Sequence, residues 1–197
     1  MARAALTFLK AFLRNPSQIG AIAPSSKKLA RAMVQGIDLG PEELLVEFGP
    51  GTGAFTAVIA ELLPQPGQYL GIERSTPFVT FLEKRFPELT FANDSAEALP
   101  RLIQKGQRVR AVVSGLPFAS LPGHVQDGVL QALEEALPTG AQFRTFQYAH
   151  AYLLPQARRF RRLMDQHFGP HEERRIVFQN LPPAWVLSWR RRPLDLK

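Results

Sequence analysis

Apolar and polar positions in this chain change period in a regular beat. Leu44-Leu45-Val46 is an unbroken apolar run that meets Glu47-Phe48, then the turn Gly49-Pro50-Gly51-Thr52-Gly53. Residues 54–60 continue without a breaker. A short apolar run closed by turn residues reads as a buried strand, and the uninterrupted segment after the glycines reads as a helix. The beat recurs downstream. Strands are predicted at 69–73, at 89–92 (closing on Asn93-Asp94-Ser95), at 110–115 (running into Leu116-Pro117-Phe118) and at 142–149. Helices are predicted at 77–86, 124–137 and 155–168. Two last strands, 174–179 and 184–190, flank Asn180-Leu181-Pro182-Pro183. Strands alternating with helices predict an α/β sheet covered by helices on both faces. The short spacing of the last two strands predicts a hairpin, and with it one antiparallel edge strand.

Two helices precede the first strand. Residues 27–35 follow Ser26, which is placed as an N-cap. Residues 2–14 form a basic amphipathic helix ended by Asn15-Pro16. At about 100° per residue, Arg3, Thr7, Lys10 and Arg14 share one stripe, opposite Leu6, Phe8, Leu9, Phe12 and Leu13. Such a helix can lie in a membrane interface with Phe8 and Phe12 dipped in and Arg3, Lys10 and Arg14 at lipid phosphates. The same stripe would also serve to pack the helix on the domain. Between the two helices runs Ser17 to Ser26, a loop that can close over a ligand, with Ser25, Ser26 and Lys27 meeting a phosphate at a helix N-terminus. Residues 1–36 are therefore an amphipathic helix and lid segment, and 37–197 carry the sheet. The chain has no repeat and no linker, so it is expected to form one compact domain.

Composition narrows the classes. At 197 residues and 45% hydrophobic content the chain supports a sizeable core. No apolar run approaches the ~20 residues needed to span a bilayer, and the N-terminus lacks a cleavable signal pattern. The absence of cysteine excludes disulfides, thiolate metal sites and thiol catalysis. No metal enters the reading, and a monomer is expected. The net charge of +7 points to an anionic partner, either nucleic acid or an acidic membrane surface.

In an open α/β sheet, ligands sit beyond the carboxyl ends of the strands. Glu47, Glu73 and Asp94 fall at three successive ends. The glycine turn, with Gly49, Gly51, Thr52 and Gly53, lets backbone approach a ligand closely. An adenosyl amino acid would employ all of them. Glu73 would accept both ribose hydroxyls and Asp94 the adenine amine, the turn would pass under the sulfonium, and Glu47 would fix the loop and favour a cation. Arg74, Ser95, Ser114 and Gly115 line the same strand ends. A dinucleotide competes, because Gly49, Gly51 and Ala54 satisfy G-x-G-x-x-G/A and Glu73 lies at a suitable distance. Glu47 before the turn, Asp94 after the third strand and the helical segment ahead of the first strand favour S-adenosylmethionine.

Glu47 through Gly53 resembles the first motif of class I S-adenosylmethionine-dependent methyltransferases. Asn15-Pro16 through Gly20-Ala21-Ile22-Ala23-Pro24-Ser25-Ser26, then Ser114-Gly115-Leu116-Pro117, then Asn180-Leu181-Pro182-Pro183-Ala184 resemble the bacterial phospholipid (phosphatidylethanolamine) N-methyltransferases. That resemblance implies a Rossmann-like seven-stranded, mostly parallel sheet with an antiparallel last strand. It implies stepwise N-methylation of an ethanolamine lipid, and an enzyme held by its N-terminal helix on anionic membrane at the inner face of the cell membrane. More distantly the chain is similar to ribosomal RNA adenine dimethyltransferases. These carry Asn-Leu-Pro plus an aromatic after the fourth strand and a helical RNA-binding C-terminal domain. Here the fourth strand is followed by Gly115-Leu116-Pro117-Phe118, without the Asn, and the sequence closes at Lys197. Nucleic acid is thus the weaker partner, and another small or membrane amine stays open as acceptor. Tyr148 at the end of the fifth strand and His150 just after it are candidates to receive the amine's proton, and Ser114 to orient the amine. Each of these histidine and cation assignments also has a plain surface alternative.

Overall fold

The computed structural model describes residues 25–193. The helix expected over 2–14, with Arg3, Phe8, Lys10, Phe12 and Arg14, and the motif from Asn15 to Pro24 lie outside the described residues.

The element order is α1 (Lys27–Val34), β1 (Glu43–Phe48), α2 (Ala54–Leu62), β2 (Tyr69–Ile72), α3 (Thr76–Arg85), β3 (Thr90–Ala92), α4 (Leu99–Leu102), β4 (Arg108–Ser114), α5 (Gly123–Ala136), β5 (Gln142–Tyr148), α6 (Pro155–Phe168), β6 (Glu173–Val177) and β7 (Ala184–Arg190). The strands form one seven-stranded sheet in the order β3-β2-β1-β4-β5-β7-β6. β1 to β5 pair in parallel, and β7 is antiparallel to both of its neighbours. The last strand is thus antiparallel, as the resemblance implies, but it is not the edge. It inserts between β5 and β6, and β6 takes the edge. A hairpin whose second strand joins the sheet gives this order as readily as one whose first strand does, so sequence spacing cannot choose. The four-residue α4 has no counterpart among the predicted helices, because it is too short to show a helical period.

Hydrophobic alternation assigns the two faces. On one face Leu44, Val46, Phe48, Val112, Phe143 and Trp189 pack with Leu133 of α5 and with Phe160, Met164 and Phe168 of α6. Phe118 stacks on Phe160 at 3.8 Å between centroids. On the other face Leu45, Val113, Phe146, Tyr148 and Val186 pack under α1 and α2, against Leu29, Met33, Phe55 and Ile59. The chain moves outward from β1 to β3, then returns to β4 beside β1. The strand order therefore reverses between β1 and β4, and a crevice opens there at the carboxyl ends. The glycine turn leaves β1 and Gly115 leaves β4 at that point.

Candidate functional site

The turn after β1 is built by glycines that no other residue replaces cheaply. Gly49, Gly51 and Gly53 have φ of 65°, 57° and 80°, the left-handed region that L side chains rarely enter. Their surroundings differ. A Cβ on Gly49 would lie 2.9 Å from Leu116, and one on Gly53 would lie 2.7 Å from the Phe86 ring. A Cβ on Gly51 would meet only the Gly49 carbonyl, at 3.9 Å. Two glycines are therefore required by packing, while the middle one faces open space where a ligand can press on bare backbone. Thr52 contributes its carbonyl to Arg85, at 2.7 Å, which ties the turn to the end of α3.

Glu47 is wholly buried. One carboxylate oxygen accepts from Thr56 of α2, at 2.8 Å, and from the Tyr69 hydroxyl of β2, at 2.6 Å. The other oxygen, Oε1, has no hydrogen-bond partner. Burial pushes this carboxyl up to about 7, against the two hydrogen bonds that pull it down. Glu47 thus fastens α2 to the central strands and leaves one uncompensated acidic oxygen behind the turn. Its ties to Thr56 on α2 and Tyr69 on β2 depend on how helix and neighbouring strand pack on β1, which sequence spacing does not show.

Glu73 follows β2 and is also buried. It accepts from the backbone N–H groups of Gly51, at 3.1 Å, and Ser75, at 2.8 Å. Burial raises its carboxyl above the ordinary range, and these backbone donors partly offset that. A carboxylate offers about four acceptor sites, so two backbone donors leave capacity for a pair of hydroxyls. Asp94 lies beside it: its own N–H donates to the Glu73 carbonyl, at 3.1 Å. The Asp94 carboxylate is held by Arg101, at 2.5 Å, and by the Ser95 N–H, at 2.8 Å, and both lower its pKa. Ser95 caps the short turn that follows. Arg74 is exposed, and its carbonyl accepts from Asn93. Glu73, Asp94 and the glycine turn are thus brought together in one network.

Ser114 and Gly115 close the crevice from β4. Ser114 is fully buried, and its hydroxyl accepts from the Leu116 N–H, at 3.3 Å. The Gly115 N–H donates to the Phe48 carbonyl, at 2.7 Å. A Cβ on Gly115 would stand 2.8 Å from the Gly49 carbonyl, so the two turns touch through bare backbone. Gly115→Asn is expected to push the glycine turn away, costing about 1–3 kcal/mol and weakening adenosyl-ligand affinity. Differential scanning calorimetry with and without S-adenosylhomocysteine reads both, and unchanged values would mean that Gly49 yields freely.

The third wall is formed by the end of β5. Tyr148 is buried and packs edge-on against Phe146, at 5.2 Å, and its burial lifts the phenol to about 12. His150 is exposed and stacks on Tyr148, with centroids 5.7 Å apart. Buried Asn180, in the β6–β7 turn, hydrogen-bonds Tyr148. It accepts from the Ser26 N–H, at 2.8 Å, and donates to the Pro182 carbonyl, at 2.7 Å. Ser26 also caps α1, its hydroxyl accepting from the Leu29 N–H. Asn180, 154 positions from Ser26 in sequence, therefore brings Ser25, Ser26 and Lys27 to the end of β5. The sequence supplied the motif around Asn180, but not its role as the latch between the lid segment and Tyr148.

Open backbone over Gly51, spare acceptor capacity on Glu73 and an unpartnered acidic oxygen on Glu47 fit an adenosyl ligand carrying hydroxyls and a positive charge. They suit a pyrophosphate badly, since a bound polyanion would lie beside two carboxyls, Glu47 and Glu73, whose ionisation burial already opposes.

Comparisons with known proteins place the chain among methyltransferases. The family model for protein-L-isoaspartate(D-aspartate) O-methyltransferase (PCMT) matches residues 4–97. Ornithine lipid N-methyltransferase of Singulisphaera acidiphila is 31% identical over 183 residues, covering 90% of this chain and 91% of that protein. Ribosomal RNA small subunit methyltransferase A of Chlorobium phaeobacteroides is 23% identical over 95 residues, 48% of this chain and 34% of that protein. Among solved structures, a SAM-dependent methyltransferase from Anabaena variabilis superposes with a TM-score of 0.65 at 14% identity, over 97% of this chain and 95% of that one. The chain belongs to the class I S-adenosylmethionine-dependent methyltransferases, in the family that includes ornithine lipid N-methyltransferase.

Proposed function

We propose that this methyltransferase transfers methyl groups to the amine of a membrane-lipid headgroup. Near full-length similarity to an ornithine lipid N-methyltransferase carries this reading. The acceptors to test first are an ornithine lipid and phosphatidylethanolamine with its partly methylated forms, since each presents a primary or partly methylated amine beside acidic groups. S-adenosylmethionine, when bound, would supply an electrophilic methyl group on a sulfonium.

The residues around that donor have three tasks. Glu73 and Asp94 hold the nucleoside, and the Gly49–Gly53 turn lets the chain pass close beneath the reactive end. The Gly115–Pro117 backbone and Tyr148 confine the amine so that attack is in line, which is where most of the acceleration is available. Tyr148, lifted to about 12, keeps its proton at neutral pH and therefore orients the amine by hydrogen bonding without acting as a strong base. His150, exposed beside it, is placed to pass the amine's proton to solvent. Ser114 acts from behind, through its hold on Leu116. Ser25, Ser26 and Lys27 enter as the lid, and Lys27 is available to a lipid phosphate or carboxylate. Arg3, Lys10, Arg14, Phe8 and Phe12, in the expected 2–14 amphipathic segment, are assigned to an anionic membrane surface. The enzyme then works as a monomer at the cytoplasmic face of the cell membrane.

RNA adenine methylation is the second reading, favoured by the partial match to a ribosomal RNA methyltransferase. The contact between Gly115 and the Gly49 carbonyl counts against it, because the asparagine expected there has no space. Transfer of labelled methyl groups to vesicles containing aminolipid, compared with transfer to unmodified small ribosomal subunits, separates the two. Label in the lipid fraction alone is expected, and label in RNA alone would remove the lipid assignment.

A further inference from the structure

Five large apolar side chains are strongly exposed among the described residues, and four of them share one end of the sheet. Leu153 and Leu154, 65% and 46% exposed, follow β5, while Phe178 and Leu181, 71% and 85% exposed, lie in the β6–β7 turn. Tyr148 of β5 pairs with Ala184 of β7, and Ala184 pairs with Val177 of β6. The two loops therefore leave the sheet side by side, at the carboxyl edge that carries the candidate site. They are held in place. Buried Asn180, between Phe178 and Leu181, is fixed to Ser26 and Pro182, and the Leu154 N–H donates to the Ala151 carbonyl at 3.1 Å. Apolar groups exposed together at one end of a sheet, on loops anchored by hydrogen bonds, mark an interaction surface.

Cations adjoin this rim. Lys28 and Arg31 of α1 and Arg175 of β6 line a cavity of about 300 Å³, together with Gln35 and Gln179, and Gln179 follows Phe178 directly. Arg175 donates to Gln35, at 3.0 Å. Among the described residues none of the three cations is paired with a carboxylate.

We propose that these loops and the cationic cavity form a membrane-docking surface separate from residues 2–14. Leu153, Leu154, Phe178 and Leu181 enter the headgroup–acyl boundary of an anionic bilayer, and Lys28, Arg31 and Arg175 meet its phosphates. The charge selects this occupant. A second copy of the chain would bring +7 against +7. RNA would match the cations, but three of the four apolar groups are leucines, which offer bases no ring to stack on. Docking by this edge would turn the crevice between β1, β4 and β5 toward the lipid, so the inference deepens the lipid reading above and rests on it for its purpose.

The test uses the full chain and the double variant Phe178→Ser with Leu181→Ser, sedimented with phosphatidylcholine vesicles with and without phosphatidylglycerol. The double variant is expected to partition roughly tenfold or more weakly onto the anionic vesicles, with unchanged S-adenosylhomocysteine affinity and melting temperature. The pair Arg31→Gln with Arg175→Gln is expected to weaken binding to anionic vesicles and flatten its salt dependence. Unchanged partition of the apolar double variant overturns the proposal. So does a fall in its melting temperature with unchanged partition, which would mean that the chain's own residues 1–24 cover the rim. A variant-sensitive dimer in sedimentation velocity, with no vesicle binding, would assign the rim to a second copy. Methyl transfer to detergent-dispersed aminolipid is measured in parallel. Its absence, with rim-dependent vesicle binding intact, removes the lipid reading and leaves the docking surface.

Discussion

Glu73→Ala is expected to weaken S-adenosylhomocysteine binding on the order of 100-fold or more and to abolish methyl transfer. The estimate follows from the charge on the acceptor. Hydrogen bonds to an ionised group contribute about 1.5–3 kcal/mol each, and the buried carboxylate has room for two hydroxyl donors beyond its two backbone partners. The same change frees the Gly51 and Ser75 N–H groups, so part of the loss comes from a loosened turn. Isothermal titration with the ligand, beside a melting curve without it, separates the two contributions. A large affinity loss with a small shift in melting temperature is the expected pair. An affinity within a few-fold of the parent would mean that the nucleoside is held elsewhere.

The second large effect is a pH dependence that belongs to Glu47. Its folded-state pKa is raised from 4.5 to about 7, chiefly by burial. Below pH 4.5 the carboxyl is protonated in both the folded and unfolded chain, and its stabilising share is fully present. Between about 4.5 and 7 the unfolded chain ionises while the folded one stays protonated, so stability falls as pH rises. Above about 7 the loss levels off at an amount on the order of 3 kcal/mol. Glu73 is raised too, with the same sign, whereas Glu43 and Asp94 are lowered and cost stability only on acidification. The difference between wild type and Glu47→Gln therefore isolates Glu47. Urea midpoints of the ligand-free proteins between pH 5 and pH 8 should show the variant gaining on wild type as pH rises. Parallel profiles would mean that the buried carboxyl ionises without penalty.

Much of this fold was legible from the chain because the signals were local. Leu44 to Gly53 combined a buried strand with the turn that must follow it, and α6 ran from Pro155 to Phe168 as the period required. The acids at successive strand ends were visible because parallel strands place their carboxyl ends together. What stayed hidden depended on contacts distant in sequence. The position of β7 inside the sheet is decided by pairing with β5, seven residue pairs that spacing alone cannot foresee. The hold of Asn180 on Ser26 and Tyr148 has no local pattern at all. Gly115 reads in sequence as a missing asparagine, whereas its physical cause, the Gly49 carbonyl against it, lies in the turn after another strand. Leu153, Leu154, Phe178 and Leu181 looked like ordinary apolar residues in sequence, and only the sheet order shows them as neighbours.

The acceptor is the centre of the account, and lipid mass spectrometry of a bacterial host that makes ethanolamine or ornithine lipids but does not methylate them tests it most directly. Expression of the wild-type chain should produce N-methylated forms of such a lipid, and expression of Glu73→Ala should produce none. An unchanged lipid profile from cells whose purified wild-type protein binds S-adenosylhomocysteine would contradict the lipid assignment and leave a methyltransferase of another amine.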